Sequence, residues 1–258
     1  IEKKSHNVSP VFMFYILLLL VGISFTDIPF DESIRTNVIF NLSGPILLGL
    51  CALYMYKRTI SIEILFNVLK YLGLPIISMV VYIYFKAPDM DDIYFGGVSS
   101  RAASGGYGPN QVASALGIGM FVFAVYLIVN KRISGYFLID LSILIFISYR
   151  ALITLSRGGV ITALIGIFAF AFFYFLSKKD SIFHIIKFTF LAVVMSIPII
   201  FYTIEVSDGM LVNRYANKNS LGIEKKNIAT GRIEIMENEF DGFLENPFFG
   251  IGVGSGKY

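Results

Sequence analysis

The chain has 258 residues, of which 56% are hydrophobic and only 15% are charged, and its mean hydropathy is +0.73. Soluble domains carry about a quarter charged residues, so this composition excludes an ordinary soluble domain. The net charge of +3 is too small to indicate a partner nucleic acid. A single cysteine, Cys51, excludes an internal disulfide.

Seven apolar stretches are each about as long as the roughly 20 helical residues that cross a bilayer core. Backbone groups in lipid must form their hydrogen bonds within the segment, so each stretch is predicted to be a helix. The predicted fold is all-α, a polytopic transmembrane helix bundle of about seven spans. The spans lie near residues 11–26, 38–56, 66–85, 111–129, 136–153, 158–176 and 184–203.

Basic residues predict the orientation, because short cytoplasmic loops carry an excess of lysine and arginine. Four basic pairs fall on the same side as the N-terminus, at residues 3–4, 57–58, 131–132 and 178–179. That side is predicted to be cytoplasmic, which makes the chain a multi-pass membrane protein. Residues 1–203 would form the transmembrane bundle, and residues 204–258 would begin a large outer region.

Arg157 is the first candidate site residue, in the sequence Thr-Leu-Ser-Arg-Gly-Gly at 154–159. It lies between two predicted spans at the outer membrane boundary. The fork of a guanidinium there suits a phosphate or a pyrophosphate at the level of lipid headgroups. The alternative is an arginine that extends to the interface, with Ser156 as the helix cap.

Three further residues are secondary candidates near the same boundary. Arg150 lies within the outer part of span five and needs a partner, either a bound anion or an outer-loop carboxylate. Arg101 and Asn110 precede span four, in a segment rich in glycine. Asn110 is expected to cap the helix, and the alternative places it at the mouth of an outer cavity.

Arg232 begins a predicted amphipathic helix over residues 232–245, with Thr230 as the cap and Asn246-Pro247 at the end. The helix is expected to lie across the outer face of the bundle. A cation in the first turn opposes the helix dipole, which favours an anion-binding role for Arg232. The alternative is a solvated arginine with a distant partner.

No catalytic base and no metal site is evident on the predicted outer face. His6 and His184 both map to the cytoplasmic side, and no metal-ligand spacing is present. Three carboxylates of the amphipathic helix would serve as a base only if burial raised the pKa: Glu234, Glu237 and Glu239. The glycine-rich run 250–257 is not a nucleotide loop, because its lysine is followed by Tyr258 rather than by serine or threonine.

Taken in order, these motifs resemble the O-antigen ligase/polymerase family. The resemblance covers roughly residues 100–258. It rests on Gly-Pro-Asn at 108–110, Thr-Leu-Ser-Arg-Gly-Gly at 154–159, Thr-Gly-Arg at 230–232 and Glu-Asn-Pro-Phe-Phe-Gly-Ile-Gly-Val-Gly-Ser-Gly at 245–256.

The resemblance implies a membrane glycosyltransferase for cell-surface polysaccharide, a multi-pass protein of the bacterial inner membrane with its active face outward. It would join a glycan from undecaprenyl diphosphate to a glycan, lipid or protein acceptor, with Arg157 and Arg232 holding the donor pyrophosphate. No cofactor and no metal is expected. The family's histidine base would lie beyond Tyr258, so this chain is expected to be a fragment that is inactive alone.

Two other functions remain possible at the level of sequence. A transporter or flippase for lipid-linked glycans would also place arginines beside a lipid pyrophosphate, although the chain shows no internal repeat of the kind such proteins often carry. A peptidoglycan-polymerising glycosyltransferase is a third interpretation, to which the outer helix and the glycine-rich run give less support. Ligase and polymerase are not distinguished, because they differ in the acceptor and no motif marks acceptor contacts.

Overall fold

The computed structural model describes residues 8–26, 34–89, 92–95, 98–177, 181–224, 232–247, 250 and 252–253. The regular structure in these ranges is helical, and an isolated β-bridge joins Lys218 and Glu224. This confirms the predicted all-α class. The α-helices are α1 (Pro10–Val21), α2 (Ile34–Met55), α3 (Ile62–Lys86), α4 (Pro109–Ile128), α5 (Phe137–Ile153), α6 (Arg157–Leu176), α7 (Ser181–Val206), α8 (Met210–Tyr215) and α9 (Arg232–Glu245).

Five helices are long and apolar enough to cross a membrane, which indicates a membrane protein. They are Val38–Met55 within α2, the whole of α3, α4 and α6, and Ile185–Val206 within α7. The first and fifth predicted spans are shorter helices. The first is the apolar segment Pro10–Phe25, and the other is α5, which has 17 residues. The number of seven spans and the orientation remain predictions.

The chain divides into two compact units. One consists of Ile62–Lys226, and the other combines Ile1–Ser61 with Asn227–Tyr258. We call them the central unit and the terminal unit. The predicted division into 1–203 and 204–258 concerns the side of the membrane on which each segment lies, and it stays a prediction.

Helix α4 forms the core of the central unit because its small residues let neighbouring helices approach closely. Eleven residues of α4 are buried. Gly117 faces the Gly159 carbonyl of α6, so that a side chain at Gly117 would collide with the α6 backbone. A Cβ at Gly119 would lie 2.7 Å from Ile76 Cγ2 of α3 and 3.3 Å from Ile147 Cδ1 of α5, so the side chains of both isoleucines pack closely against this glycine.

Consecutive helices from α3 to α6 run in alternate directions. At one end, the Tyr126 hydroxyl of α4 donates a 2.7 Å hydrogen bond to the Phe66 carbonyl of α3. At the same end, the Asp140 carboxylate at the start of α5 accepts hydrogen bonds from the N–H groups of Ile133 and Ser134 at 2.7 and 3.0 Å. At the opposite end, α3 and α5 stop and α4 and α6 begin. We call this the turn end.

The terminal unit contains α1, α2 and α9. Helices α1 and α2 pack closely at Gly49, where an added Cβ would lie 2.8 Å from Ile16 Cγ1. The Val253 N–H donates a 3.0 Å hydrogen bond to the Thr26 hydroxyl oxygen. Helix α9 begins at Arg232 and ends at Glu245, as predicted from the amphipathic pattern. Its predicted cap, Thr230, lies outside the described residues, and its predicted place on the outer face of the bundle stays a prediction.

Candidate functional site at the turn end

Four of the five predicted site residues lie in the central unit, at its turn end. Arg157 is the first residue of α6, and Arg150 lies one turn before the end of α5. Arg101 is exposed in the loop that leads to α4, and Asn110 is the second residue of α4. Arg232 begins α9 in the terminal unit, and its side chain lies outside the described part of the structure.

The turn that precedes Arg157 is held on three sides. We call residues 154–157 the Ser-Arg turn. The Ser100 N–H donates a 2.8 Å hydrogen bond to the Thr154 carbonyl. The Ser156 hydroxyl donates to Asn110 Oδ1 at 2.8 Å. Between them, the Leu155 carbonyl accepts a 2.9 Å hydrogen bond from Nε of an arginine on α8, Arg214. Three consecutive residues are therefore fixed to three different elements.

Leu155 has a backbone conformation that is unfavourable for leucine. Its φ is +54°, and a side chain in this left-handed region costs about 1–2 kcal/mol. The surrounding packing compensates, because the fully buried Leu155 side chain belongs to a small apolar cluster at the turn end. The cluster consists of Ile93, Phe95, Ala103, Ile153, Leu155 and Leu211. Backbone strain that the neighbours hold in place is typical of functional turns.

The start of α6 is open to an anion. Ser156 occupies the cap position, but its side chain makes no capping hydrogen bond, since the hydroxyl is bonded to Asn110. The interpretation of Ser156 as a side-chain cap is therefore wrong. The N–H groups of a first helical turn have no acceptor within the helix, and they favour negative charge.

Arg157 is the first residue of α6, and its side chain is half-buried. Among the residues that the structure describes, none accepts a hydrogen bond from it or forms an ion pair with it. A half-buried cation at an open helix start is suited to an anionic group that arrives from outside the chain.

The two glycines after Arg157 have different surroundings. An added Cβ at Gly159 would collide with the Ala113 carbonyl and lie 2.7 Å from the Ser114 nitrogen of α4. This glycine is required by helix packing. Gly158 is exposed, and a Cβ there would meet nothing within 4 Å. Its lack of a side chain leaves the start of α6 unobstructed.

Arg214 and Tyr215 belong to the same surface and were not among the predicted site residues. Tyr215 is 40% exposed. Partial desolvation of its phenol raises the pKa above the ordinary 10.0, whereas the positive charges of Arg157 and Arg214 act in the opposite direction. The phenol is therefore in the electrostatic field of both guanidinium groups. A signal for Arg214 exists in the sequence, because an arginine on the predicted outer side departs from the usual distribution of basic residues.

Arg150 is a loop anchor in this structure. Its side chain is 1% exposed, and Nη2 donates to the Ala103 carbonyl at 2.9 Å and approaches the Ile83 carbonyl at 3.5 Å. Nε and Nη1 have no hydrogen-bond partner among the described residues. The expected ion pair with an outer-loop carboxylate is absent from that part of the chain. Arg150 instead joins the end of α3 to the loop that contains Arg101.

Asn110 does not cap α4, which corrects the sequence-based expectation. The helix begins one residue earlier, at Pro109, with Gly108 in the cap position. Proline is favoured in the first helical position because its missing N–H would have no acceptor there. The Asn110 side chain is thereby available to the Ser156 hydroxyl.

The described residues hold no cluster of three or more side chains that would bind a metal ion. The three carboxylates considered as a base are exposed on α9: Glu234, Glu237 and Glu239. The side chain of His184 lies outside the described part of the structure, and so does His6.

One family model matches part of the chain. The family model described as O-antigen ligase matches residues 141–258. The match supports membership of the O-antigen ligase family. No curated protein and no solved structure gives a significant match to the chain. The matched segment contains the whole Ser-Arg turn together with α6 to α9, and it therefore includes Arg150, Arg157, Arg214 and Arg232.

Proposed function

We propose that the protein is a membrane glycosyltransferase that transfers a glycan from undecaprenyl diphosphate to an acceptor, as an O-antigen ligase or a polysaccharide polymerase. One observation carries this proposal. Within the family-matched segment, Arg157 offers a guanidinium without a partner among the described residues, beside the uncapped start of α6. The proposed site faces outward, and the acceptor is a glycan, a lipid or a protein.

The chemistry that this site would assist is departure of a diphosphate. An acceptor hydroxyl attacks the anomeric carbon of the donor sugar, and the bond from that carbon to the diphosphate oxygen breaks. The acceptor loses its proton to a base, and negative charge grows on the departing oxygen. Preorganised cations and N–H dipoles are most effective where such charge develops. Arg157 and the first N–H groups of α6 would supply them, with Arg232 as a second cation.

Hydrogen-bond donors that are fixed before the reaction lower the activation free energy more than donors that must first be reoriented. The Ser-Arg turn is bonded to the loop before α4, to α4 itself and to α8. The backbone N–H groups at the start of α6 therefore do not have to be reoriented when the diphosphate leaves, and this absence of reorganisation is the source of electrostatic catalysis. The three hydrogen bonds that fix the turn therefore support a role of the Ser-Arg turn in transition-state stabilisation.

The test replaces Arg157 by alanine in the chromosomal gene, with Arg132→Ala as the control. Arg132 lies at the opposite end of the central unit, where it donates to Asn130 Oδ1 and the Lys131 carbonyl. We expect Arg157→Ala to abolish glycan transfer, to leave the amount of protein in the membrane unchanged and to make lipid-linked glycan accumulate. Wild-type transfer by Arg157→Ala would contradict the proposed function.

A further inference from the structure

Arg214 lies on α8, a short helix that follows the last long apolar helix of the central unit. Its Nε–H donates a 2.9 Å hydrogen bond to the Leu155 carbonyl, although the two residues are 59 positions apart. Leu211, on the same helix, is 4% exposed and belongs to the apolar cluster of Leu155. Helix α8 therefore contacts both the side chain and the carbonyl of Leu155.

The hydrogen bond from Arg214 stabilises a residue with an unfavourable backbone conformation, Leu155. It is a leucine with a φ of +54°, so a relaxed turn would move toward the right-handed or extended regions. Such a movement would rotate the peptide that leads into Ser156 and Arg157. A hydrogen bond to the Leu155 carbonyl opposes that rotation, because it fixes the direction of the peptide plane on the side of α6.

We propose that Arg214 is a positioning residue of the diphosphate site, which holds the strained Leu155 peptide so that Arg157 and the start of α6 face one bound anion. The proposal rests on the proposed function and adds a residue to it. The partner is a polyprenyl diphosphate headgroup, bound by Arg157. Arg214 acts on it through the backbone of the Ser-Arg turn.

The position of the donor atom supplies a sharp test. In glutamine the amide nitrogen occupies the same place along the side chain as Nε of arginine, so Arg214→Gln keeps a donor for the Leu155 carbonyl and removes the charge. Arg214→Met has similar length and no donor. Arg214→Leu serves as the donor-free variant if the methionine variant is not monodisperse. Lys218→Gln, four residues further on, is the matched control for loss of a nearby positive charge.

The measurement is the affinity of the purified full chain in detergent for farnesyl diphosphate, a short polyprenyl diphosphate. We expect Arg214→Met to bind about tenfold more weakly, in line with one lost hydrogen bond. Arg214→Gln should remain within about threefold of wild type, and Lys218→Gln should be unchanged. Inorganic pyrophosphate as a competitor distinguishes recognition of the diphosphate from binding of the prenyl chain.

Each other outcome overturns the positioning role. Equal losses in Arg214→Gln and Arg214→Met would show that the charge matters and the hydrogen bond does not. Unchanged affinity in both, with a lower melting temperature, would show a purely structural role. If Arg157→Ala also binds farnesyl diphosphate like wild type, the proposed function fails as well. If only the Arg214 variants are unaffected, the proposed function stands without this residue.

Discussion

The Ser156 hydroxyl donates a 2.8 Å hydrogen bond to Asn110 Oδ1, and this contact keeps it away from the helix that it precedes. A serine in the cap position normally accepts a hydrogen bond from an N–H of the first turn. Here the hydroxyl is bonded to Asn110 of α4 instead. The first N–H groups of α6, which begins at Arg157, therefore have no side-chain acceptor from Ser156. The contact between Ser156 and Asn110 also joins α4 to the Ser-Arg turn.

Removal of Asn110 should weaken anion binding without any change in the charge of the site. In Asn110→Ala the Ser156 hydroxyl loses its partner, and we expect it to cap α6 and compete for the N–H groups. The affinity for farnesyl diphosphate should fall, whereas Ser156→Ala, which leaves the N–H groups open, should bind almost as wild type does. Each variant should lose about 1 kcal/mol of stability. A larger loss of affinity in Ser156→Ala would show that the hydroxyl itself contacts the anion.

Gly158 and Gly159 provide a matched pair of substitutions. Gly159→Ala places a methyl group against the α4 backbone, and such overpacking costs about 1–3 kcal/mol. Gly158→Ala meets no atom within 4 Å and should leave the melting temperature in detergent unchanged or slightly higher. Glycan transfer should nevertheless decrease in Gly158→Ala, because the methyl group obstructs the start of α6. Equal melting temperatures for the two variants would contradict the packing described here.

Tyr215 should limit anion binding at alkaline pH. Its phenol is neutral below its pKa, and a phenolate beside Arg157 and Arg214 would compete with a bound diphosphate. Because burial raises this pKa above 10.0, the affinity for farnesyl diphosphate should stay constant from neutral pH to about pH 10 and fall above that value. Tyr215→Phe should bind without this alkaline decrease. An identical pH profile in both proteins would remove Tyr215 from the site.

Labelling with a membrane-impermeant thiol reagent tests the predicted orientation. With Cys51 replaced by serine, cysteines at the exposed positions Ala102 and Leu221 should react in intact cells. Cysteines at Tyr136 and Ser177, exposed at the opposite end of the central unit, should react only after the cells are opened. The reverse pattern would place the Ser-Arg turn on the cytoplasmic side and contradict the proposed function.

The sequence was sufficient to predict the helical class, helix α9 and the position of Arg157 at the start of α6. Hydrophobic length and period carry that information directly. It was insufficient for Asn110, because local capping preference assigned its side chain to α4, whereas a contact with Ser156 some 46 residues away determines its role. Tertiary partners of this kind leave no local pattern.

The backbone conformation of Leu155 and its contact with Arg214 could not be predicted from the sequence for the same reason. Nothing in the sequence around a leucine predicts a φ of +54°, which persists because the apolar cluster and Arg214 hold it. Gly159 differs from Gly158 only through its contact with α4, so the sequence shows two equivalent glycines. Residues that depend on distant partners became apparent only in the folded chain.

The most direct test of the central claim is the affinity of Arg157→Ala for farnesyl diphosphate, measured beside wild type and Arg132→Ala in the same detergent. Charge-assisted hydrogen bonds at a half-buried site predict that Arg157→Ala binds about tenfold to a hundredfold more weakly, whereas Arg132→Ala binds like wild type. Equal affinity in all three proteins would contradict the assignment of the Ser-Arg turn as the diphosphate site.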